Sequence, residues 1–499
     1  MKVAVLALFC AVVCYALPCE GLASFKLPHT TITSAQIVST GAFTPPPQAS
    51  LNPPDLGVFK NLRSFCRFTA TLQPSGDSDI KIEVWLPVTG WNGKVQSVGN
   101  GGFAGSINYP ALAVAVAAGY AGASTDTGHV GDNVRFAPGH PEKWTDYAYR
   151  AVHEMTVAAK AIVTTFYGQQ PRRMYWNGCS NGGRQGLMEA QRYPSDYDGI
   201  IAGAPDNQFS HFRISHLWIA QAVHKDNASF IPPNKYLLIH EAVLQACDAL
   251  DGIKDGLIGD PTRCHFDPKV LECEGADAPS CLTSAQVEAA RKIYAGPTNL
   301  RNKAEIFPGL EPGSELAWRV LAGPEPSATY TIDYFKYLVF KDPSWDYRKF
   351  NFDGDVAMAD KSEEANAVNP NLKDYFRHGG KLLVYHGWND QLGAPRNSIN
   401  YYISVVTAIG GAETAKSMRL FMAPGMMHCG GGEGPNSFEA VTVLDQWLET
   451  GKAPDQIIAS HSTGDKVDRT RPLCPYPQVA LYKGSGSRDE AMNFVCKAP

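Results

Sequence analysis

The stretch Arg173-Met174-Tyr175-Trp176-Asn177-Gly178-Cys179-Ser180-Asn181-Gly182-Gly183-Arg184-Gln185-Gly186 decides the fold. Its first residues read as an apolar, aromatic strand, and 182–193 read as a helix stopped by Pro194. Strand, sharp turn at a serine, then helix is the context that a nucleophile elbow requires. With 46 glycines in the chain, a bare Gly-x-Ser-x-Gly pattern carries little by itself. The weight falls on the sequence around it.

Upstream, Ile82-Glu83-Val84-Trp85-Leu86 alternates as a strand. A second strand, 94–98, ends in Gly99-Asn100-Gly101-Gly102. A small-residue helix over 111–119 leads to a strand at 121–124. A long helix over 144–167 then places Tyr147, Ala151, Met155, Ala158, Ala159 and Ile162 near helical spacing, and Gly168 stops it. Downstream, 380–385 and 418–422 are strands, and 438–450 is an amphipathic helix. Residues 17–75 are Pro- and Ser-rich and read as an arm stapled to the body. Residues 207–370 lose the alternation and gain loops, Pro and Cys. The class is therefore α/β: an α/β-hydrolase doubly wound sheet, with a catalytic domain of 17–206 and 371–499 and an inserted lid of 207–370.

Asp390 follows one late strand and His428 the next, so the order Ser, Asp, His is the one α/β-hydrolases use. A serine is a weak nucleophile at its free pKa, so His428 is expected to take its proton, with Asp390 fixing the imidazole tautomer. Asp126, in Ser124-Thr125-Asp126-Thr127-Gly128-His129, competes for the acidic role but precedes the serine. It is assigned a structural role, as are His129 and His386. An oxyanion needs two preorganised N–H donors. Asn181 supplies one candidate, and Gly101 and Gly102 supply the other without a choice between them.

Lys2 and the apolar run 3–16 read as a signal peptide, too short to span a bilayer. Cleavage after Ala16 leaves ten of the twelve cysteines, an even set; cleavage after Ala23 leaves nine. The first is favoured, because an exported chain is expected to pair its cysteines. Cys179 beside Ser180 and Cys429 beside His428 suggest a clamp between nucleophile and base. Proximity in sequence suggests Cys19–Cys66, Cys247–Cys264, Cys273–Cys281 and Cys474–Cys496. Asn227-Ala228-Ser229 is a glycosylation sequon if the host glycosylates. A net charge of −5 and no basic run indicate neither a nucleic-acid nor a membrane partner. In the 247–264 loop, Asp248, Asp251 and Asp255, with the carbonyls of Ile253 and Leu257, suit a Ca²⁺ ion. The same spacing suits a plain Asp-Gly turn.

Gly178-Cys-Ser-Asn-Gly-Gly-Arg-Gln-Gly186, Gly387-Trp-Asn-Asp390, Gly425-Met-Met-His-Cys-Gly430 and Ser124-Thr-Asp-Thr-Gly-His129 resemble the tannase/feruloyl esterase family over essentially the whole mature chain. The resemblance implies an α/β-hydrolase core with a lid, the Cys179–Cys429 disulfide and the triad Ser180, Asp390 and His428. It also implies structural calcium at Asp248, Asp251, Ile253, Asp255 and Leu257, and no organic cofactor. The expected function is a secreted serine carboxylesterase cleaving hydroxycinnamoyl esters, including those on plant cell-wall polysaccharide. A tannase-type galloyl esterase and a hydrolase of mono(2-hydroxyethyl) terephthalate are the nearer alternatives. A catalytically silent binding protein is the alternative from another class. The lid, at about 165 residues, is nearer in length to those of feruloyl esterases. Phe209 and Trp318 are candidates to stack on an aromatic acyl group or to pack the core.

Overall fold

The computed structural model describes residues 16–47, 57–325, 328–361 and 363–498. The apolar leader reading falls on residues 1–16, nearly all outside these. Nine strands form one sheet: β1 (Thr30–Val38), β2 (Phe65–Leu72), β3 (Ile80–Pro87), β4 (Lys94–Val98), β5 (Ala121–Thr125), β6 (Arg173–Cys179), β7 (Gly199–Gly203), β8 (Lys381–Gly387) and β9 (Met418–Ala423). Their spatial order is β1-β2-β3-β5-β4-β6-β7-β8-β9. The first three strands and the β3–β5 pair run antiparallel; β5 through β9 run parallel. The parallel strands β4, β5 and β7 are buried along their whole length, as expected for strands covered by helices on both faces. Because β6, β8 and β9 are parallel, the chain leaves all three at one edge of the sheet, where α/β folds place their ligands.

The region read as a stapled arm contributes more than that reading allowed. It supplies β1 and β2, so it belongs to the sheet, and Cys19–Cys66 (Cα–Cα 5.6 Å) ties its start to β2. Alternation of buried Phe68, Ala70 and Leu72 with half-buried Arg67, Thr69 and Thr71 carries the strand signal. The long helix is also interrupted: Pro141–Thr145 is α-helical, Asp146–Arg150 is a π turn, and Ala151–Tyr167 is α-helical again. Such single π turns cluster at functional sites. Here the carbonyls of Tyr147 and Ala148 accept bonds from the buried Arg184 guanidinium. The cysteine-clipped tail is two hairpins, Ile457–Thr463 with Lys466–Leu473 and Val479–Tyr482 with Phe494–Lys497, joined by Cys474–Cys496.

Residues 207–370 leave the sheet after β7 and return at β8. Among the described residues they hold helices and isolated bridge pairs, with no strand of a sheet. Their own core includes Ile219, Ile239, Val243, Ile293 and Trp318. A second core, with Phe209, Ile214, Tyr334 and Phe335, is shared with Phe103, Trp144 and Tyr147 of the sheet-bearing body. Phe209 and Trp318 are thus buried packing residues, 0% and 1% exposed, and Phe209 offers no surface to a ligand. Asn227 lies exposed in a turn. All five cysteine pairs form as the sequence suggested.

Candidate active site

Ser180 sits at the turn between β6 and the helix Asn181–Arg192, with φ +62° and ψ −123°. A non-glycine residue at positive φ is costly and persists only where the surroundings over-determine it. Here they do: the Ser180 N–H donates to Gly203 O at 2.9 Å, and Ser180 O accepts from Arg184 N and Asp206 N. The tight turn demands glycine at 183, where a Cβ would stand 2.4 Å from Gly203 O. Strand β7 runs that close to the elbow helix. We predict that Gly183→Ala lowers stability by more than the ~1–3 kcal/mol of ordinary overpacking, because the obstruction is backbone; thermal unfolding measures it.

Asp390 is fully buried and accepts four hydrogen bonds. Leu392 N and Gly393 N donate to Oδ1 at 2.8 Å each, while His386 Nε2 (2.9 Å) and His428 Nδ1 (2.6 Å) donate to Oδ2. Burial alone would raise its pKa, but the two imidazoles reverse this and hold the carboxyl well below the usual range. Burial likewise opposes protonation of His428, and the Asp390 carboxylate overrides it, so the His428 pKa is raised. Because Asp390 only accepts, His428 Nδ1 carries the proton and Nε2 presents its lone pair. That Nε2 is buried without a hydrogen-bond partner. The neighbouring Cys429 is bonded to Cys179, the residue before Ser180, across 250 residues with Cα atoms 5.9 Å apart.

The other candidates divide cleanly. Asp126 is held away from this junction by Lys81 N and Gly128 N, and burial raises its pKa to about 7. His129, lowered to about 4 by burial, binds Phe103 O at 2.7 Å and braces the glycine turn. Gly101 and Gly102 face open space, and Gly102 O accepts from Tyr147 of the π turn. Neither Gly101 nor Gly102 donates its N–H to another described residue, and Asn181 is fully buried at the start of the elbow helix. His386 is structural, as read, yet it touches Asp390 directly and is locked by Ser398 Oγ at 2.7 Å.

Two neighbours escaped the sequence reading. Asp206 and Arg213 form a buried ion pair, 2% and 1% exposed, whose charges act on His428 in opposite senses. Arg213 also stacks on Phe209, with its guanidinium carbon 4.0 Å from the ring centre. The available signal was the position of Asp206 just beyond the end of β7, where α/β folds gather functional side chains.

In the 247–264 loop, Asp248 accepts from Asp255 N and Gly256 N, and Asp255 Oδ2 is paired with the buried Arg471 of the C-terminal hairpin. Asp251 Oδ1 in turn accepts from Ile253 N at 3.2 Å, so all three expected carboxylate ligands already have partners. Asp251 keeps a different character: burial, with Asp255 and Asp248 adding, pushes its pKa to about 6. The carbonyls of Ile253 and Leu257 accept no bond from a described residue. Crowded carboxylates beside free carbonyls fit a hard cation. The same loop abuts the His428 loop: a Cβ at Gly425 would stand 2.5 Å from Leu257 Cδ2.

The chain is similar to several known proteins. An uncharacterized esterase of Xanthomonas campestris pv. campestris is 38% identical, covering 96% of this chain and 91% of its own. The crystal structure of feruloyl esterase B from Aspergillus oryzae superposes with a TM-score of 0.90 at 30% identity, over 96% of this chain and 99% of that one. Tannin acyl hydrolase from Aspergillus niger shares the fold, with a TM-score of 0.78 at 22% identity over 95% of this chain and 93% of that one. The family profile described as tannase and feruloyl esterase matches residues 66–497, and the chain belongs to that family of carboxylic ester hydrolases.

Proposed function

We propose that this carboxylic ester hydrolase cleaves hydroxycinnamoyl esters through an acyl-enzyme on Ser180. The observation that carries the mechanism is His428, whose Nδ1 is fixed on Asp390 while Nε2 lies buried and unpartnered. His428 takes the Ser180 proton as Oγ attacks the ester carbonyl. The Asn181 N–H and an N–H of Gly101 or Gly102 hold the developing oxyanion. Collapse releases the alcohol, which receives the proton from His428. Water, deprotonated by the same imidazole, then frees the acid and regenerates Ser180. The feruloyl esterase B likeness supports a cinnamoyl over a galloyl acyl group, since it joins 30% identity to near-complete coverage.

Substrate choice is tested with methyl ferulate, methyl caffeate, methyl gallate and mono(2-hydroxyethyl) terephthalate. Turnover concentrated on the first two is expected; preference for gallate would make the chain a tannase. The acid limb of kcat/KM should lie above the ordinary histidine value, because the raised His428 must be neutral to act and deprotonates only as pH climbs through its pKa. Asp390→Asn removes the carboxylate that raises it. A limb that moves down in that variant supports the pairing, and an unmoved limb refutes it.

The 247–264 loop is proposed to hold Ca²⁺ on Asp248, Asp251 and Asp255 and on the carbonyls of Ile253 and Leu257. Bound there, the ion would supply structural cross-linking and no chemistry at the ester. Chelation is expected to lower Tm by about 4 °C, the stabilisation lost at a thousandfold excess of ion over Kd in a chain this long. Calcium should restore it; an unchanged Tm would remove the ion from the reading. Five disulfides and the leader-like run support secretion. Among the described residues no helix is long and apolar enough to cross a membrane.

A further inference from the structure

Glu189 lies two turns into the elbow helix, about 13 Å along its axis from Ser180. It is 1% exposed, and neither carboxylate oxygen has a hydrogen-bond partner. A buried carboxyl without a donor is strongly disfavoured as an anion, so something must neutralise it. Among the described residues no Lys or Arg pairs with it. What it faces is Asp196, a second acceptor, and His153 near the start of Ala151–Tyr167. One donor atom from each of these three residues lies within 4.8 Å of the other two. His153 Nδ1 is 2.7 Å from Asp196 Oδ2, and the His153 ring is stacked on Tyr193 with centroids 3.8 Å apart and planes 9° apart. The stack fixes the plane of the imidazole and so the direction of its nitrogen lone pairs. His153 and Asp196 retain 27% and 13% side-chain exposure, which leaves a path from solvent to the buried Glu189.

We infer that His153, Glu189 and Asp196 form a binding site for a divalent transition metal of the Zn²⁺ class, separate from both the triad and the 247–264 loop. A single proton between Glu189 and Asp196 would pair two of their oxygens and leave the other buried Glu189 oxygen unmet. A cation bound by one imidazole nitrogen and two carboxylates satisfies all three side chains. The donor set selects the ion: Ca²⁺ and Mg²⁺ take oxygen ligands, whereas one nitrogen with two oxygens suits Zn²⁺ and its neighbours. Three protein ligands with water in the fourth place is a common zinc arrangement. Opening the His153–Asp196 contact by less than about 1 Å admits an ion at bonds of about 2.0–2.2 Å. The ion would tie Ala151–Tyr167 to the far end of the elbow helix and to the turn before β7.

The test uses the full chain, stripped with chelator and then kept in excess Ca²⁺ so that the 247–264 loop stays saturated. Zn²⁺ binding is counted by equilibrium dialysis with elemental analysis for wild type, Glu189→Gln and His153→Gln. Wild type is expected to hold one equivalent more than either variant. A hundredfold excess of Zn²⁺ over Kd should raise its Tm by about 3 °C and leave the variants unmoved. Equal stoichiometry and equal Tm response in all three would overturn the site. Should the variants fold poorly, anomalous diffraction at the zinc edge from wild-type crystals decides: a peak among the three side chains supports the inference, and its absence refutes it.

Discussion

Ser180→Ala is expected to lower kcat by on the order of 10⁶-fold, the usual loss when the nucleophile of a serine triad is removed. Tm should stay at the wild-type value, because Ser180 Oγ makes no hydrogen bond to a described residue and the strained turn is held by backbone bonds. Asp390→Asn should cost about 10⁴-fold by permitting the wrong histidine tautomer. It should also destabilise the fold, since His386 and His428 share that carboxylate. The contrast is diagnostic: one variant loses chemistry alone, the other loses chemistry and structure. Turnover retained by Ser180→Ala, with fluorophosphonate labelling unchanged, would remove Ser180 from the mechanism.

Replacing both Cys179 and Cys429 by alanine should have the second largest effect. Opening a loop of 250 residues releases conformational entropy worth about 5 kcal/mol in the unfolded chain. Opening Cys273–Cys281, with a separation of 8, should release about half as much, so that pair is the internal control. The catalytic effect separates the two further. His428 keeps its bond to Asp390 and its N–H bond to Gln391 Oε1, so the base stays bound to the acid. What it loses is the tether to Ser180, and a misplacement of about 1 Å costs on the order of 10²-fold in rate. Activity assayed well below the unfolding transition isolates this term. A double-alanine variant with wild-type kcat would show that the disulfide serves stability alone.

The 247–264 loop and the clamp converge on one segment. Leu257 presses on Gly425 from one side, and Cys179 holds Cys429 from the other, so 425–429 is gripped at both ends. His240 adds a third contact, hydrogen-bonded to Glu315 and ion-paired with Glu433 just beyond this segment. Burial disfavours the His240 charge, and the two carboxylates raise its pKa to about 9. The loop carrying His428 is thus held by groups from the insert and the sheet together, as a preorganised site requires.

The elbow, the order of Ser, Asp and His and the five cysteine pairs were legible in the sequence because short local motifs mark each of their ends. Strand periodicity places Ser180, glycines permit its turn, and a cysteine beside each partner marks where distant segments meet. Partners set by the register between elements were not legible. That the 17–75 arm would add two strands depended on β2 finding the edge of β3. That Asp255 would pair with Arg471, and Asp206 with Arg213, depended on how the insert and the C-terminal hairpin dock. Glu189 is the sharpest case, since in sequence it is an ordinary glutamate on a helix. Only the packing of Ala151–Tyr167 against the elbow helix buries it and brings His153 and Asp196 to face it. Local pattern fixes backbone shape because φ, ψ and side-chain periodicity are local; burial and electrostatic partnership are properties of surfaces brought together, and only the tertiary structure decides those.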